Sequence, residues 1–241
     1  FVIDEETKNC LIAEDPASAE IIKPFLAGRD IKRYQQPKSD KYLIFTRRGI
    51  DIEKYPAVLK HLNQFREQLE PKPANFSGNE WKGRKPGSYK WYEIQDAVDY
   101  FEEFEKEKII IPAITNKANY CFDTENYYSN DKTSIIPTVD CYLLCLLNSK
   151  LIDFFLKTIA STKQNGFYEY KPVYISQLPI VGKDKTNSEK ILEIGKTILE
   201  IKRNNPSADT TALESEIDRL VYELYGLSEE EIGIVEGENN K

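Results

Sequence analysis

Lys108-Ile-Ile-Ile-Pro-Ala-Ile114 and, further on, Asp140-Cys-Tyr-Leu-Leu-Cys-Leu-Leu-Asn-Ser-Lys150 decide the fold class. The first is apolar and β-branched, as a strand is, and Pro112 puts it at a sheet edge or a strand end because proline cannot donate to the ladder. The second opens a helical pattern over 140–158 through Leu143, Leu144, Leu147, Leu151, Phe154 and Phe155, with a bend expected near Asn148-Ser149. Strand and helix side by side predict an α+β chain.

Towards the N-terminus, residues 1–13 read as two short strands about a polar turn. Pro16 to Pro24 reads as a short helix capped by Asp15, and Lys41 to Thr46 as a strand. After Tyr55-Pro56, the spacing Val58, Leu59, Leu62, Phe65, Leu69 predicts a helix. Residues 70–90 have no period and hold Pro71, Pro73, Gly78, Gly83, Pro86 and Gly87, which predicts a long irregular loop. A short helix is expected over 97–104, with strands near 118–123, 126–129 and 133–137. The polar loop Ser161 to Gly166 leads to a strand-like Pro172-Val-Tyr-Ile175.

From Ser188 the composition changes. Ile191, Ile194, Ile198 and Ile201 form one helical stripe, Asn204-Asn205-Pro206 breaks it, and Leu213, Ile217, Leu220, Val221 and Leu224 form a second that Gly226 closes. The expected architecture is a mixed-sheet body with several short helices over 1–182, followed by an antiparallel helical hairpin over 183–241. The end of the chain, Glu236 to Lys241, is expected to fray.

Charge separates these parts. The 241 residues carry a net charge of −7, yet between Arg29 and Trp91 there are 15 Lys and Arg against 7 Asp and Glu, whereas 186–241 hold 6 basic and 13 acidic residues. A basic segment inside an acidic chain points either to a localised polyanion-binding face or to a solvated stretch balanced in three dimensions by the remainder. The acidic hairpin would repel phosphate and more readily packs on protein.

Several classes of function are disfavoured. No apolar run approaches the roughly 18–20 residues of a membrane span, and four cysteines, none in a Cys-x-x-Cys pair, make neither a disulfide scaffold nor a zinc site. A cytoplasmic protein without membrane contact is expected. Cys141 and Cys145, at i and i+4 among leucines, read as buried structural thiols. His61 is the single histidine and lies on a predicted helix with no nucleophile motif. There is no glycine-rich nucleotide loop, no Pro-Pro dipeptide and therefore no Asn-Pro-Pro-Tyr methyltransferase motif. Glu-x-Lys pairs, among them those at Glu6, Glu80 and Glu200, are the only hint of a metal-dependent nuclease and are scattered. No catalytic residue, metal or cofactor is assigned. The chain lacks methionine and begins at Phe1, from which it is expected to be part of a longer polypeptide.

The positive signal is basic and planar side chains interleaved. Arg29, Lys32 and Arg33 precede Tyr34, Arg47 and Arg48 close a strand, and the long loop offers Trp81, Lys82, Arg84, Lys85 and Lys90. Such residues clamp phosphates and stack on bases or sugars. Trp81, amid Gly and Lys, is expected to be exposed, while Trp91 and Tyr92 read as core anchors. Two polar loops carry side chains suited to base edges: Asn116, Lys117 and Asn119 in the first, Lys163, Gln164 and Asn165 in the second.

Lys23-Pro-Phe-Leu-Ala-Gly-Arg-Asp-Ile-Lys-Arg-Tyr34 resembles the opening of the TaqI-like C-terminal specificity domain, the target-recognition domain of adenine-specific DNA methyltransferases and fused restriction-modification enzymes. Trp91-Tyr-Glu-Ile, Lys108-Ile-Ile-Ile-Pro, Tyr142-Leu-Leu-Cys-Leu-Leu-Asn-Ser-Lys150 and Gln177-Leu-Pro-Ile180 follow in the same order. Ile217 to Ile232 looks like the helical ending of the larger fused enzymes. The resemblance implies a non-catalytic domain that reads a short sequence in double-stranded DNA. It would present an adenine to an upstream methyltransferase domain of the same chain, where S-adenosylmethionine would bind; an endonuclease activity of the parent is also compatible. It assigns no base contacts to particular residues. The alternative is a protein-interaction module docking through the acidic hairpin.

Overall fold

The computed structural model describes residues 1–183 and 187–237. The chain divides into two units, residues 1–25 with 39–103, and residues 26–38 with 104–241. Segment 26–38 thus leaves the first unit and returns to it.

In the first unit, β1 (Val2–Asp4) and β2 (Ile22–Leu26) flank β3 (Lys41–Ile44), each antiparallel to it. The second strand expected within residues 1–13 is instead a helix, α1 (Glu5–Glu14). Asp4 accepts a hydrogen bond from the Thr7 amide at 2.9 Å and Glu5 and Glu6 occupy the first turn, so the polar turn is a helix N-terminus. Asp15 caps the next element as expected, but this is a 3₁₀ helix that ends at Glu20, and Pro24 lies within β2. The predicted stripe after Pro56 forms α2 (Pro56–Asn63) and a further turn, α3 (Arg66–Leu69). Val58 and Leu62 meet Leu11, Ile22, Ile44 and Ile52 in the core, with Trp91 and Tyr92 packed against it. The helix expected over 97–104 is reduced to a 3₁₀ turn at Phe101–Glu105.

In the second unit, β4 (Lys108–Pro112) is followed by β5 (Ile114–Thr115), β6 (Cys121–Asp123), β7 (Tyr128–Ser129) and β8 (Thr133–Ile136). β4 is the centre of an antiparallel sheet in the order β6-β4-β8, with Pro112 at its end. Both of its faces are covered. Ile109 and Ile111 join the main core, while Ile110 packs on Leu26, Ile31, Cys121 and Tyr127. That is why the strand reads as an unbroken apolar run. Lys108 and Asp123, both fully buried, pair at 2.6 Å. Lys108 also donates to the Phe104 and Lys106 carbonyls, and Asp123 accepts from the Glu125 and Tyr127 amides, so the pair is satisfied on all sides.

The long helical pattern forms α4 (Cys141–Asn148) and α5 (Lys150–Ile159), broken at Ser149, which caps α5. β9 (Tyr168–Glu169) pairs with β5. Pro172 to Ile175 is not a strand but a single helical turn, α6 (Pro172–Ile175), because proline at the first helical position is already set for helix.

The hairpin is α7 (Asn187–Asn204) and α8 (Thr211–Tyr225), closed by Gly226 at φ 69°. A third helix, α9 (Glu229–Glu236), follows under a Ser228–Glu231 capping box. The fraying expected to continue to Lys241 falls mostly on residues 238–241, outside the described residues. Ile191, Ile198, Ile217 and Leu220 are buried in the same core as α4. A Cβ on Gly195 would overlap the Cys145 sulfur, so only glycine lets α7 lie this close to α4. Cys121, Cys141 and Cys145 are buried free thiols and Cys10 is exposed.

α8 also holds the start of α5. Asp218 accepts from the Lys150 amide at 2.8 Å, and burial pushes its carboxyl up to about 6.

Two outcomes test these contacts. Lys108→Met leaves Asp123 buried and unpaired, and should lower stability by about 3–5 kcal/mol in urea unfolding followed by circular dichroism. The folded Asp218 holds its proton more tightly than the unfolded one, so its contribution to stability is fully present below about pH 4 and is lost as pH rises through about 6. Asp218→Asn keeps the acceptor oxygen and removes that slope. Its Tm relative to the parent protein should therefore rise between pH 4.5 and pH 7.

Candidate nucleic-acid interface

Segment 29–38 is organised with a period of three. Ile31, Tyr34 and Pro37 are buried, while Arg29, Lys32 and Lys38 are exposed. Tyr34 adopts φ 59°, a left-handed conformation that costs a bulky residue energy and persists only where the surroundings impose it. They do so here: the Tyr34 ring is buried in the main core and its amide donates to the Tyr120 carbonyl at 3.0 Å. Arg33 turns inward, pairing with Glu214 of α8 and donating to the Asn148 carbonyl at the end of α4. Of the three cations read from this segment, two face solvent and one is a tether.

Beside Arg29 lies an open groove of about 660 Å³, lined by Gly28, Arg29, Asn116, Asn119, Lys132 and Phe167 over a floor that includes Ile31 and Pro112. Its geometry depends on a close approach. The Lys132 carbonyl accepts from the Ala113 amide at 2.8 Å, and a Cβ on Gly28 would stand 2.9 Å from that same oxygen. Glycine at 28 therefore lets the turn bearing Arg29 rest against the turn bearing Lys132. Thr115 Oγ1 donates to the Lys117 carbonyl at 2.9 Å and accepts from Asn119 Nδ2 at 3.4 Å, holding the Asn116–Asn119 loop over the groove. Asn116 and Lys117 are exposed.

The second polar loop contributes differently from its reading. Lys163 pairs with Glu169 at 2.9 Å, and Gln164, Asn165 and Gly166 form a tight turn with Asn165 at φ 61°. These three side chains are exposed but do not line the groove; Phe167, the residue after the turn, does. Lys132 and Phe167 were not singled out from the sequence. Their signals were slight: a cation in the Asn130-Asp131 turn before a strand, and an aromatic following Asn-Gly.

The remaining candidates sit in the first unit. Arg84 is not a surface cation but the clasp of the 70–95 loop. Its guanidinium donates to the carbonyls of Leu69 at 2.7 Å, Glu93 at 2.8 Å, Trp91 at 2.9 Å and Lys90 at 3.2 Å. Trp81, expected to be exposed, is half-buried; its indole donates to the Glu70 carbonyl at 3.2 Å and its ring meets Phe76 edge-on. Lys82 pairs with Glu67 at 3.3 Å. Arg48 donates to the Gln95 carbonyl at 2.7 Å, and Arg47 lies over the Phe101 ring at 5.1 Å. Lys85 and Lys90 are exposed.

His61 lies beside Phe65, and burial lowers its pKa. No group of three or more His, Cys, Asp or Glu that could hold a metal ion occurs among the described residues. No described helix is long and apolar enough to cross a membrane.

A family model, the TaqI-like C-terminal specificity domain, matches residues 23–180. The chain belongs to this family. The match runs from β2, ahead of the 29–38 segment, through the loops around the groove to the turn that follows α6. Among solved structures, the chain is similar to the Type IIL restriction-modification enzyme MmeI in complex with DNA, at a TM-score of 0.63 and 19% identity. That superposition covers 95% of this chain and 31% of the MmeI chain, so the likeness extends over the helical hairpin of this specificity-domain protein. None of the curated protein sequences compared with the chain matches it.

Arg84 and Lys85 are neighbours with opposite duties, which limited proteolysis separates. Arg84→Ala should speed cleavage within residues 70–95 several-fold by freeing four carbonyls of their donor. Lys85→Ala should leave the rate unchanged.

Proposed function

We propose that this chain reads a short sequence in double-stranded DNA as the target-recognition domain of a restriction-modification enzyme. The observation that carries this reading is the groove that joins Arg29, Asn116, Asn119 and Lys132 on a specificity-domain fold. Asn offers a paired donor and acceptor that match adenine in the major groove, Lys and Arg match guanine or phosphate, and the apolar floor with Phe167 suits a base face or a thymine methyl. Asn116, Asn119 and their loop neighbour Lys117 are assigned to bases. Arg29, Lys32, Arg47, Arg48, Lys82, Lys85 and Lys90 are assigned to phosphates. Lys163, Gln164 and Asn165 border the reading face and Arg33 supports it from within, while Arg84 and Trp81 hold the 70–95 loop of the first unit together.

In this reading residues 1–182 are the recognition body and 183–241 the appendage that braces it. The body presents a target adenine to an N6-adenine methyltransferase domain upstream in the same polypeptide, and S-adenosylmethionine binds there and not on this chain. The parent enzyme, with or without an endonuclease, works on host and invading DNA in the cytoplasm.

Exchanging residues 1–182 into a related enzyme of different specificity should transfer the methylated sequence, read by sequencing modified bases in host DNA. Within the parent enzyme, Asn116→Ala with Asn119→Ala should relax one or two positions of that sequence, each worth about 1–3 kcal/mol of discrimination. An unchanged methylated sequence in the exchanged enzyme would defeat the proposal.

A further inference from the structure

A second groove, of about 400 Å³, lies beside Arg29 and is lined by Arg29, Lys32, Gln35, Gln36 and Lys38 on one side and by Pro206, from the turn joining α7 to α8, on the other. We infer that this groove carries one strand of the duplex by its phosphodiester backbone, and that the helical hairpin is a wall of the DNA-binding surface. The inference rests on the reading of the chain as a DNA-recognition domain and adds a second contact surface to it.

The chemistry of the lining is that of a phosphate track. Three cations face one carboxylate, Asp30, and that carboxylate is already engaged: it accepts from the Ala27 amide at 2.9 Å and lies 3.9 Å from Arg29. Lys32 and Lys38 make no ion pair among the described residues, so their charge is available to a ligand. Gln36 accepts at its Oε1 from the Thr124 hydroxyl at 3.2 Å and its Nε2 is buried, so it is the cations that this lining offers to a ligand. Cations in a row suit the oxygens of successive phosphates, and contacts to the backbone fix register without carrying sequence information.

The hairpin suits this place despite its acidic composition. Pro206 is neutral, and Glu214, the α8 carboxylate nearest the segment in its bonding, is neutralised by Arg33. The same Arg33–Glu214 bond ties segment 29–38 to α8, so the two walls are held together. Arg29 lines both grooves and stands between base reading on one side and backbone tracking on the other.

The test is a salt titration of the whole chain with a fluorescently labelled duplex of mixed sequence. The paired substitution Lys32→Gln with Lys38→Gln should reduce the slope of log K against log salt by about 2, since each neutralised phosphate contributes about 0.9. It should weaken binding equally for every duplex sequence. Pro206→Glu, an exposed change in a turn, should also weaken binding by placing a negative charge on the opposite wall. If the parent chain binds and the lysine variant keeps its slope, the backbone assignment is wrong while the recognition reading stands. If only Pro206→Glu is without effect, the hairpin is no wall of the site and the inference fails in that part. A parent chain that binds no duplex at low salt overturns both.

Discussion

The second unit is assembled around one side chain. Asn148, fully buried at the end of α4, bonds both backbone groups of Tyr120 with its amide: Oδ1 accepts from the Tyr120 N–H and Nδ2 donates to the Tyr120 carbonyl, each at 3.0 Å. It thereby stands in for a strand partner at the residue leading into β6. The Tyr120 carbonyl also accepts from Tyr34, and the Asn148 carbonyl, otherwise an orphan of the helix terminus, accepts from Arg33. Arg33 in turn binds Glu214 on α8. Sheet, α4, segment 26–38 and hairpin meet within a few bonds. Buried polar groups left without partners cost about 1–3 kcal/mol each, so these elements depend on one another.

That hub explains why neighbouring cations have different fates. Arg33 and Arg84 are drawn inward because a guanidinium presents several N–H donors in a fixed planar fork and can bind two or more carbonyls or carboxylates at once. Lys32, Lys38 and Lys85 stay outside because an ammonium is strongly hydrated and is costly to bury without a paired anion. Lys108 obeys the same rule from the other side, being buried only with Asp123 and two carbonyls around it. Counting charges over 29–91 shows a basic segment and leaves open which of its cations are free to meet a phosphate.

The helical hairpin belongs to the same economy of contacts. Its apolar stripes are consumed by α4 and the core, through Ile191 and Ile198 on α7 and Ile217 and Leu220 on α8, and Gly195 permits the approach. A helix pair with its apolar face already covered offers a partner chiefly its polar edges and its turn. This weakens the reading of the hairpin as an independent docking module and leaves Pro206 as the part that borders a charged groove.

Local chemistry made much of the chain legible. Gly226 closing α8, the Asn148-Ser149 bend, the strand at Lys108 and the patternless 70–90 loop all follow from propensities and caps acting within a few residues, as do the motifs that carry the family resemblance. Local reading failed where two local choices compete: Asp4 begins a helix in place of a turn, and Pro172 begins a helical turn in a β-branched stretch. The candidate groove lay beyond any such reading. Gly28, Arg29, Asn116, Lys132 and Phe167 are scattered over the sequence and converge because β4 pairs antiparallel with β8, β5 pairs with β9, and a glycine without a Cβ lets two turns touch. The sequence by itself determined which residues could bind a polyanion and which elements would carry them. Tertiary structure alone decided which of those residues face one another, because that choice is made by long-range pairing and by the competition of buried carbonyls for the same arginines.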